Sequence, residues 1–588
     1  RTYNEARFIR IHGALRADVL RDALQVLVDR HDALRTTFGD DGGTQVISGQ
    51  SQVNLSIVSL TEREQPDEIE RALDDQVEIT TTKLFDLSGG PLFRFSLFDL
   101  GERKWAVLLV IHHLIADGWS WAVLLNELGE VYSALAADDP LPDRPTLSYA
   151  KYAKWSQSDA HNKHTMHAER YWLESLSDRP EEIELPSDRP RPPQKTYGAG
   201  RIEHQFNASL LARIREVARQ LDCTVFHLLT ASFYAWLHRV SGSDDIVVAV
   251  PTAGQISAST HELDHVDRLV GHCVNLLPIR IACGGSAPFS ELLQRAKSAL
   301  LDARDNQDVS FHNLINALKW PRDPSRIPLA SVSLNFGHNH QVEFDGLDAK
   351  TTLPPKMFNF FDMTVDMLED KDNISIDCKF NRDLFDAVSV ERWLSQWEVM
   401  LASALDSPAT SVADLKVLTS EEEDLLLNAW NDTTREYSKL SCMHSLIEQQ
   451  SRSTPDRIAV ICAGRAQSYN ELDLRANRIA HAIREQGIGR EQRVGICVER
   501  SIDMLAAVLG ILKSGAAYIP LDPSFPEDRL RFMADDADLA LIVSESHLAG
   551  KTGIPRDRQL LLDSDAARIE GQPSTPLRPN TDLDSQPE

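Results

Sequence analysis

The segment Trp105–Ile111, WAVLLVI, is a short and continuous apolar run, which is typical of a β-strand buried on both faces. It is followed by two adjacent histidines, His112 and His113, and then by Asp117 and Gly118. After the glycine, apolar residues recur at spacings of three and four, which predicts an amphipathic helix. The sequence therefore predicts a strand, a turn and a helix, with the histidine pair held at the end of the strand.

A histidine at the end of a strand is held in a fixed position, and its neutral imidazole can accept or donate a proton near neutral pH. Asp117 could cap the helix, hydrogen-bond to His113 or form half of an ion pair. Gly118 would allow close backbone approach or a positive φ. The alternative is that both histidines are satisfied core residues and that the turn is purely structural. This segment alone leaves both possibilities open.

Length and charge exclude several classes of protein. At 588 residues the chain exceeds what one hydrophobic core usually supports, so several domains are expected. The formal net charge of -27 disfavours binding to nucleic acid or to anionic lipid. The most apolar long window, residues 504–521, is interrupted by Lys513 and two glycines, so it does not predict a membrane span.

The cysteines and histidines do not predict a metal centre. The seven cysteines are scattered and form no C-x-x-C pair, which favours a reducing cytoplasm over a disulfide framework or a zinc site. His338 and His340 have a metal-like spacing, but no third ligand lies near them in the sequence. We therefore expect no metal.

The order of the predicted elements changes along the chain. Residues 185–200 are rich in proline and polar residues and predict an extended crossover between two lobes. Helices and strands mix in both lobes without strict alternation, which indicates an α+β fold with helices on one side of each sheet. From His444 onward, helices and strands alternate, which is typical of a separate α/β domain with a parallel sheet.

Hydrophobic periodicity predicts two long helices in the lobes. The second is one continuous helix over residues 209–240. The first carries a seam with spacings of three, four and seven, formed by Leu20, Leu24, Leu27, His31 and Leu34.

The turn resembles a known signature, and motifs of the same family follow in order. HHLIADG is similar to the H-H-x-x-x-D-G signature of the condensation domains of nonribosomal peptide synthetases. The accompanying motifs of that family are RHDALRTTF, FDLSGGPLFRFSLF, YAKYAKW, YWLESL, LPSDRPRP, LVGHCVNLLPIR, RDPSRIPL and FNRDLFD. The resemblance covers residues 1 to about 425. Further on, the segments QSYNEL, RANRIAHAI and LKSGAAYIPLDPSFPEDRL resemble the start of an adenylation domain.

The resemblance implies two lobes similar to chloramphenicol acetyltransferase, arranged as a V with a central tunnel. It places the N-terminal lobe at residues 1–180 and the C-terminal lobe at 181–425, of which 181–200 form the interlobe linker. A linker at 426–440 leads to the N-terminal portion of an α/β adenylate-forming domain at 441–588.

The adenylation part is expected to be truncated and inactive. The family's glycine-rich phosphate loop is absent from this sequence. The nearest candidate, GKTG at residues 550–553, lacks the spacing of a phosphate-binding loop and is interpreted as a surface turn. A polypeptide of this sequence should show no amino-acid-dependent exchange between ATP and labelled pyrophosphate.

The reaction implied by the resemblance is formation of a peptide bond. The amine of an aminoacyl thioester on an acceptor carrier domain attacks the acyl or peptidyl thioester on a donor carrier domain. Phosphopantetheine is presented by these partner carriers, so this chain is expected to bind no cofactor covalently. ATP and Mg²⁺ would serve only a complete adenylation domain. The expected location is the cytoplasm, with neither nucleic acid nor a membrane as a partner.

The resemblance carries the catalytic role to His113. Its imidazole would take the ammonium proton or hydrogen-bond to the attacking amine, and these two roles remain alternatives. His112 is interpreted as structural and Gly118 as supporting the turn. Asp117 is expected to form an ion pair with an arginine, the two candidates being Arg280 and Arg35.

Two features complete the comparison with the family. His272 and Cys273 stand where apolar or aromatic residues are commoner, which could alter the tunnel. Epimerisation domains share the two histidines but normally follow a carrier domain, and heterocyclisation domains carry aspartates instead. The remaining alternative is a non-catalytic domain that recruits carriers, and carrier-dependent turnover would distinguish it.

Overall fold

The computed structural model describes residues 3–63, 65–255, 263–338, 340–354, 358–436 and 442–577. The chain forms two compact units, a first unit of residues 1–432 and a second unit of residues 433–588.

The N-terminal part of the first unit contains six strands and five helices. The strands are β1 (Asn4–His12), β2 (Thr36–Phe38), β3 (Gln45–Ile47), β4 (Leu55–Ser59), β5 (Phe93–Asp99) and β6 (Lys104–His112). The helices are α1 (Ala17–Arg30), α2 (Pro66–Thr82), α3 (Gly118–Ala136), α4 (Tyr149–Ser156) and α5 (Asp159–Ser175). The predicted order of strand, turn and helix is thus confirmed, with the strand ending at His112.

The rest of the first unit contributes seven strands and six helices among the described residues. The strands are β7 (Ala199–Phe206), β8 (Asp245–Ala253), β9 (Val274–Ala282), β10 (Val332–His338), β11 (Asp348–Thr352), β12 (Met363–Glu369) and β13 (Ile374–Asn381). The helices are α6 (Ala208–Gln220), α7 (Val225–Ser241), α8 (Phe289–Asp305), α9 (Phe311–Leu318), α10 (Ala387–Asp406) and α11 (Ser420–Leu427).

Two mixed sheets form the two lobes. The N-terminal lobe contains a five-stranded sheet in the order β11-β1-β6-β5-β4, and the C-terminal lobe a six-stranded sheet in the order β7-β13-β12-β10-β8-β9. Strand β11 lies late in the chain but pairs antiparallel with β1, with Ile9 opposite Thr351. The α+β class is confirmed, and one strand crosses back to complete the first sheet.

The prediction that helices cover one side of each sheet is wrong for the first sheet. On one face, α1 and α3 pack against residues such as Ile9 and Val107. On the opposite face, Leu73 and Val77 of α2 pack against Phe8 and neighbouring residues. Strand β6 is therefore buried on both faces, which explains its continuous apolar sequence.

Both long helix predictions are corrected by the structure. Helix α1 ends at Arg30, and His31 and Leu34 are buried in the turn that follows. The helix predicted over residues 209–240 is two helices, α6 and α7. The chain turns at Asp222, whose φ is 49°, and the side chain of Thr224 caps the second helix. A break formed by ordinary polar residues carries no proline or glycine signal.

The second unit contains a parallel sheet, in the order β17-β16-β18-β19. Its strands are β14 (Ile458–Cys462), β15 (Arg465–Ser468), β16 (Arg493–Cys497), β17 (Ala517–Pro520), β18 (Leu541–Ser544) and β19 (Gln559–Leu561). Its helices are α12 (Met443–Ser453), α13 (Tyr469–Glu485), α14 (Ile502–Lys513), α15 (Glu527–Asp536) and α16 (Ala566–Glu570). The alternating pattern is confirmed from β16 onward. The predicted first strand instead forms a separate antiparallel hairpin, β14 with β15.

The charged residue in the apolar window is buried in the second unit. Lys513 Nζ lies 2.5 Å from a carboxylate oxygen of Glu448 and 2.7 Å from one of Asp473, and it donates to Asn477 Oδ1 at 2.9 Å. Burying a charge requires such partners. Within the ranges that the structure describes, no helix is both long enough and apolar enough to cross a membrane.

Candidate active site

A cavity of about 1990 Å³ lies between the two lobes of the first unit. The N-terminal lobe supplies β1, the turn after β6 and the start of α3 to its wall. The C-terminal lobe supplies parts of β7 to β10, β12 and β13. His113 lines this cavity, so the turn found in the sequence lies where both lobes meet a solvent-filled space.

The ring orientation of His113 is fixed by one hydrogen bond. Its Nδ1 lies 2.7 Å from the carbonyl oxygen of Ala116. A carbonyl can only accept, so Nδ1 carries the proton and Nε2 carries the lone pair. The backbone N–H of His113 donates to the carbonyl of Tyr3 at 2.8 Å, which joins the turn to the segment before β1. Among the described residues no hydrogen bond uses Nε2, which leaves it available to a substrate.

His112 has a different environment. Its Nδ1 accepts a hydrogen bond from the N–H of Leu114 at 3.2 Å. Phe85 lies edge-on to its ring with the centroids 5.9 Å apart, and Tyr3 lies tilted to it. Burial lowers the pKa of His112 to about 4, so it is neutral at physiological pH. This environment supports the interpretation of His112 as a structural residue.

Asp117 caps α3 from a fully buried position. Its Oδ1 accepts hydrogen bonds from the N–H and the hydroxyl of Ser120, at 2.9 and 2.8 Å. The Ser120 hydroxyl also accepts from the N–H of Asp117, which completes a capping box. Asp117 Oδ2 accepts from the N–H of Cys273 at 2.9 Å and from Nε2 of Gln255 at 3.2 Å. One carboxylate therefore binds the start of α3 and two points of the C-terminal lobe.

Further bonds join the same two segments. The Ser120 hydroxyl lies 3.0 Å from the carbonyl oxygen of Gly271 and 3.1 Å from its amide nitrogen. The indole N–H of Trp119 donates to the carbonyl of Asp267 at 3.1 Å. We call Asp117, Ser120, Gly271 and Cys273 the interlobe clasp, because their hydrogen bonds hold the His113 turn against the C-terminal lobe.

The predicted ion pair of Asp117 with an arginine is wrong. Arg280 lies 2.6 Å from a carboxylate oxygen of Asp245 and 2.7 Å from one of Asp178, and these carboxylates raise its pKa. Arg35 donates to backbone carbonyls, including those of Val28 and Ser48. Both guanidinium groups are thus engaged elsewhere, and backbone and side-chain N–H groups satisfy Asp117 instead.

The expected role of Gly118 is also corrected. Its φ is not positive, and a Cβ atom added there would meet no atom within 4 Å. Gly118 is the first residue of α3, so it provides neither a close backbone approach nor a left-handed conformation in this fold.

The RHDALRTTF motif supports α3 from behind. Arg30 Nη1 lies 2.8 Å from a carboxylate oxygen of Glu127, and His31 Nε2 lies 3.2 Å from the same oxygen. All three side chains are largely buried, and Glu127 belongs to α3. The first two residues of the motif thus help to hold the helix that begins at the catalytic turn.

His272 brings a second imidazole to the site. It lines the cavity, and its ring lies edge-on to that of His113 with the centroids 4.8 Å apart. Its Nδ1 is buried without a hydrogen-bond partner among the described residues. Burial, followed by the charge of His113, lowers the pKa of His272 to about 4. The sequence marked this residue as unusual but did not predict its contact with His113.

The lowered pKa predicts a loss of stability in acid. The folded state binds the proton of His272 only near pH 4, whereas the unfolded chain binds it near 6.5. Stability is therefore full above pH 6.5 and falls as the pH drops from 6.5 towards 4, by about 2 kcal/mol at pH 5 for this residue. His272→Phe should remove that part of the acid sensitivity, as measured by urea unfolding at pH 7.5 and pH 5.

His12→Phe provides the matched control for this comparison, because His12 is exposed at the far end of β1. Its acid sensitivity should equal that of the wild type. If His272→Phe lost as much stability between the two pH values as the wild type does, the titration of His272 would not be the cause.

Sequence reasoning missed Ser120, Gln255 and the backbone of Cys273. The spacing of Asp117 and Ser120 could have identified the capping box, because an N-cap acceptor commonly pairs with a polar residue three positions later. The contacts with Gln255 and Cys273 join distant segments and leave no local signal.

The expectation about metals is not contradicted by the described residues. Among them no group of three or more histidine, cysteine or acidic side chains could hold a metal ion. His338 and His340 both line the cavity, and the residue between them lies outside the described ranges.

Two family models match this chain. Residues 1–427 match the condensation domain and residues 447–586 match AMP-binding enzymes. The fold and the site define a two-lobed acyltransferase-type domain with a histidine on the wall of its central cavity. Because the first match covers more than half of the chain, the chain belongs to the condensation domain family of nonribosomal peptide synthetases, here joined to part of an AMP-binding domain.

The curated relatives are large synthetases. The chain is 34% identical over 583 residues to a linear gramicidin synthase of Brevibacillus parabrevis, an alignment that covers 98% of this chain and 11% of that protein. It is 32% identical to chondramide synthase of Chondromyces crocatus, with 99% and 15% covered. The chain therefore spans a small part of each of these relatives.

Solved structures confirm the fold. A four-domain nonribosomal peptide synthetase bound to AMP and glycine superposes with a TM-score of 0.77 at 22% identity, covering 98% of this chain and 43% of that one. The first condensation domain of the calcium-dependent antibiotic synthetase, in complex with a substrate analogue, gives 0.61 at 18% identity, covering 71% and 94%.

Proposed function

We propose that the first unit transfers a donor acyl or peptidyl group from one carrier domain to the amine of an aminoacyl thioester on a second carrier domain. The observation that carries the proposal is the His113 imidazole on the cavity wall, with Nδ1 bonded to Ala116 and Nε2 available. Peptide-bond formation is the chemistry of this family. The identities of donor and acceptor carriers belong to the proposal.

The proposed step needs one proton acceptor and two positioned substrates. The acceptor amine attacks the donor thioester carbonyl, so a C–N bond forms, the C–S bond breaks, and the donor phosphopantetheine leaves as a thiol. His113 Nε2 takes the ammonium proton or accepts a hydrogen bond from the attacking amine. An α-amine has a pKa near 8 and is partly neutral already, so positioning contributes strongly to the rate.

The interlobe clasp supports this assignment. Hydrogen bonds from Ser120 and Cys273 to Asp117 fix the start of α3, and Nδ1 of His113 is bonded to the carbonyl directly before Asp117. The lone pair of Nε2 is therefore held in a defined direction. A rigid site of this kind orients a reaction between two substrates that arrive on separate carriers.

The experiment is intact mass spectrometry of an acceptor carrier after incubation with this chain and two loaded carriers. The expected product is an acceptor whose mass has increased by the donor residue, and the donor carrier should return to its free thiol. An unchanged acceptor mass, with both thioesters intact, would contradict the transfer and favour a non-catalytic, carrier-recruiting domain. Inversion of the donor residue without transfer would favour an epimerisation domain.

The remaining expectations stay predictions. They are the boundaries after residues 180 and 425, the inactivity of residues 441–588 towards ATP and amino acids, and a cytoplasmic location. The absence of pyrophosphate exchange for any amino acid would support the second of these, and reproducible exchange would contradict it.

A further inference from the structure

Arg7 places a buried guanidinium group in the wall of the cavity. It lies on β1, and its side chain is 18% exposed. Its guanidinium carbon stacks over the ring of Trp121 of α3, 4.7 Å from the ring centroid. Stacking covers one face of the planar group and leaves its N–H edges able to bind a ligand.

The hydrogen-bonding capacity of Arg7 is largely unused by the protein. A guanidinium carries five N–H donors, yet the one hydrogen bond found among the described residues runs from Nη1 to the carbonyl of Ala6 at 2.9 Å. The nearest carboxylate is that of Glu5, whose oxygen lies 3.9 Å from Nη1 and so beyond hydrogen-bond distance. Burial lowers the pKa of Arg7, although the charges of Glu5 and Asp366 oppose this effect.

Two other buried cations on the same wall are fully paired. Arg201 Nε lies 2.7 Å from a carboxylate oxygen of Asp377. Lys379 Nζ lies 2.5 Å from Asp366 and 3.0 Å from Asp377. The charge of Asp366 is thus engaged with Lys379 at hydrogen-bond distance, while Arg7 has no such partner within the described ranges.

We propose that Arg7 binds a carboxylate on the substrate, so that this site prefers an acidic aminoacyl or dicarboxylic acyl group over its neutral amide. The inference rests on the proposed function and adds the chemical class of its substrate. A buried guanidinium that has lost its water gains most from an anion, and a carboxylate matches its planar edge with two parallel hydrogen bonds.

The carboxylate could arrive on either carrier, so the test has two arms. In the donor arm, aspartyl and asparaginyl thioesters on the donor carrier compete for a glycyl acceptor. In the acceptor arm, a glycyl donor is offered to aspartyl and asparaginyl acceptors. Aspartate and asparagine have nearly the same shape, so the comparison isolates the charge. We expect at least about a tenfold preference in kcat/KM for the acid in one arm.

Arg7→Gln should abolish that preference while transfer of the asparaginyl substrate changes little. Arg10→Gln is the matched control, because Arg10 lies on the same strand but is exposed and paired with Glu70. It should keep the full preference. Equal rates for acid and amide in both arms of the wild type would overturn the proposal without any variant. A preference that persists in Arg7→Gln would also overturn it.

A binding measurement separates this inference from the proposed function. Aspartyl and asparaginyl pantetheine amides cannot be transferred, so calorimetric titration of the full chain reports binding alone. The aspartyl compound should bind about tenfold more tightly to the wild type and to Arg10→Gln, but not to Arg7→Gln. If no thioester were transferred but this difference persisted, the proposed function would fail and the carboxylate site would stand. Equal affinities would overturn the site even if transfer occurred.

Discussion

His113→Ala is expected to lower the rate constant of peptide transfer by about 10²–10⁴-fold, the usual contribution of a general acid or base. The loss follows from the position of Nε2, the nitrogen that carries the lone pair and faces the cavity, because Nδ1 is bonded to the carbonyl of Ala116. Single-turnover transfer between loaded carriers, measured by intact mass, gives the rate constant.

The fold should survive this substitution, because His113 is only half-buried and contributes one side-chain hydrogen bond to the protein. Its melting temperature should stay close to that of the wild type. His12→Ala, which removes an exposed histidine at the other end of β1, should transfer at the wild-type rate. A His113→Ala protein that transferred at nearly the same rate would remove His113 from the mechanism.

A second substitution separates the two roles of His113. His113→Gln retains a group that can hydrogen-bond to the amine but cannot take up a proton near neutral pH. If positioning dominates, the glutamine variant should recover much of the rate above pH 8, where the acceptor amine is already neutral. If proton transfer dominates, it should remain as slow as the alanine variant at every pH.

The sequence predicted the catalytic turn because its signals are local. A continuous apolar strand, a polar turn and a periodic helix are each defined by residues adjacent along the chain. His113 and Asp117 were accordingly placed correctly at the end of β6 and the start of α3. The family motifs also predicted the two lobes.

The interactions of Asp117 could not be predicted in the same way. Arg280 was a reasonable partner by charge, but its own neighbours Asp178 and Asp245 come from a different part of the fold. The N–H of Cys273 belongs to the backbone, and backbone groups are present at every position, so a sequence carries no mark of which one will bind. Electrostatic pairing inferred without coordinates therefore favoured a charged side chain over an amide.

Elements formed by short or distant segments were missed for a related reason. Strand β11 has five residues, and its place beside β1 depends on pairing between Ile9 and Thr351. Arg7 gave no signal either, because an arginine on a strand is ordinarily a solvated residue. Its burial becomes evident only when α3 places Trp121 over it.

Asp117→Ala is expected to reduce the free energy of unfolding of the first unit by about 3 kcal/mol. The substitution removes a buried carboxylate that accepts four hydrogen bonds, from the N–H and hydroxyl of Ser120, the N–H of Cys273 and the amide of Gln255. Each buried donor left without an acceptor costs about 1–3 kcal/mol, and relaxation of the structure recovers part of the sum. Urea unfolding followed by tryptophan fluorescence measures the loss.

Two variants test whether the clasp is the cause. Asp117→Asn keeps one oxygen to cap α3, but its amide NH₂ would face the N–H of Cys273, so it should lose less stability than alanine while still falling below the wild type. Asp139→Ala removes an exposed aspartate after the same helix and should stay within about 0.5 kcal/mol of the wild type. Because the clasp also fixes the turn that carries His113, Asp117→Ala should slow transfer even at temperatures where the protein is fully folded. Unchanged stability together with an unchanged rate would show that the hydrogen bonds of Asp117 hold neither the lobes nor the catalytic turn.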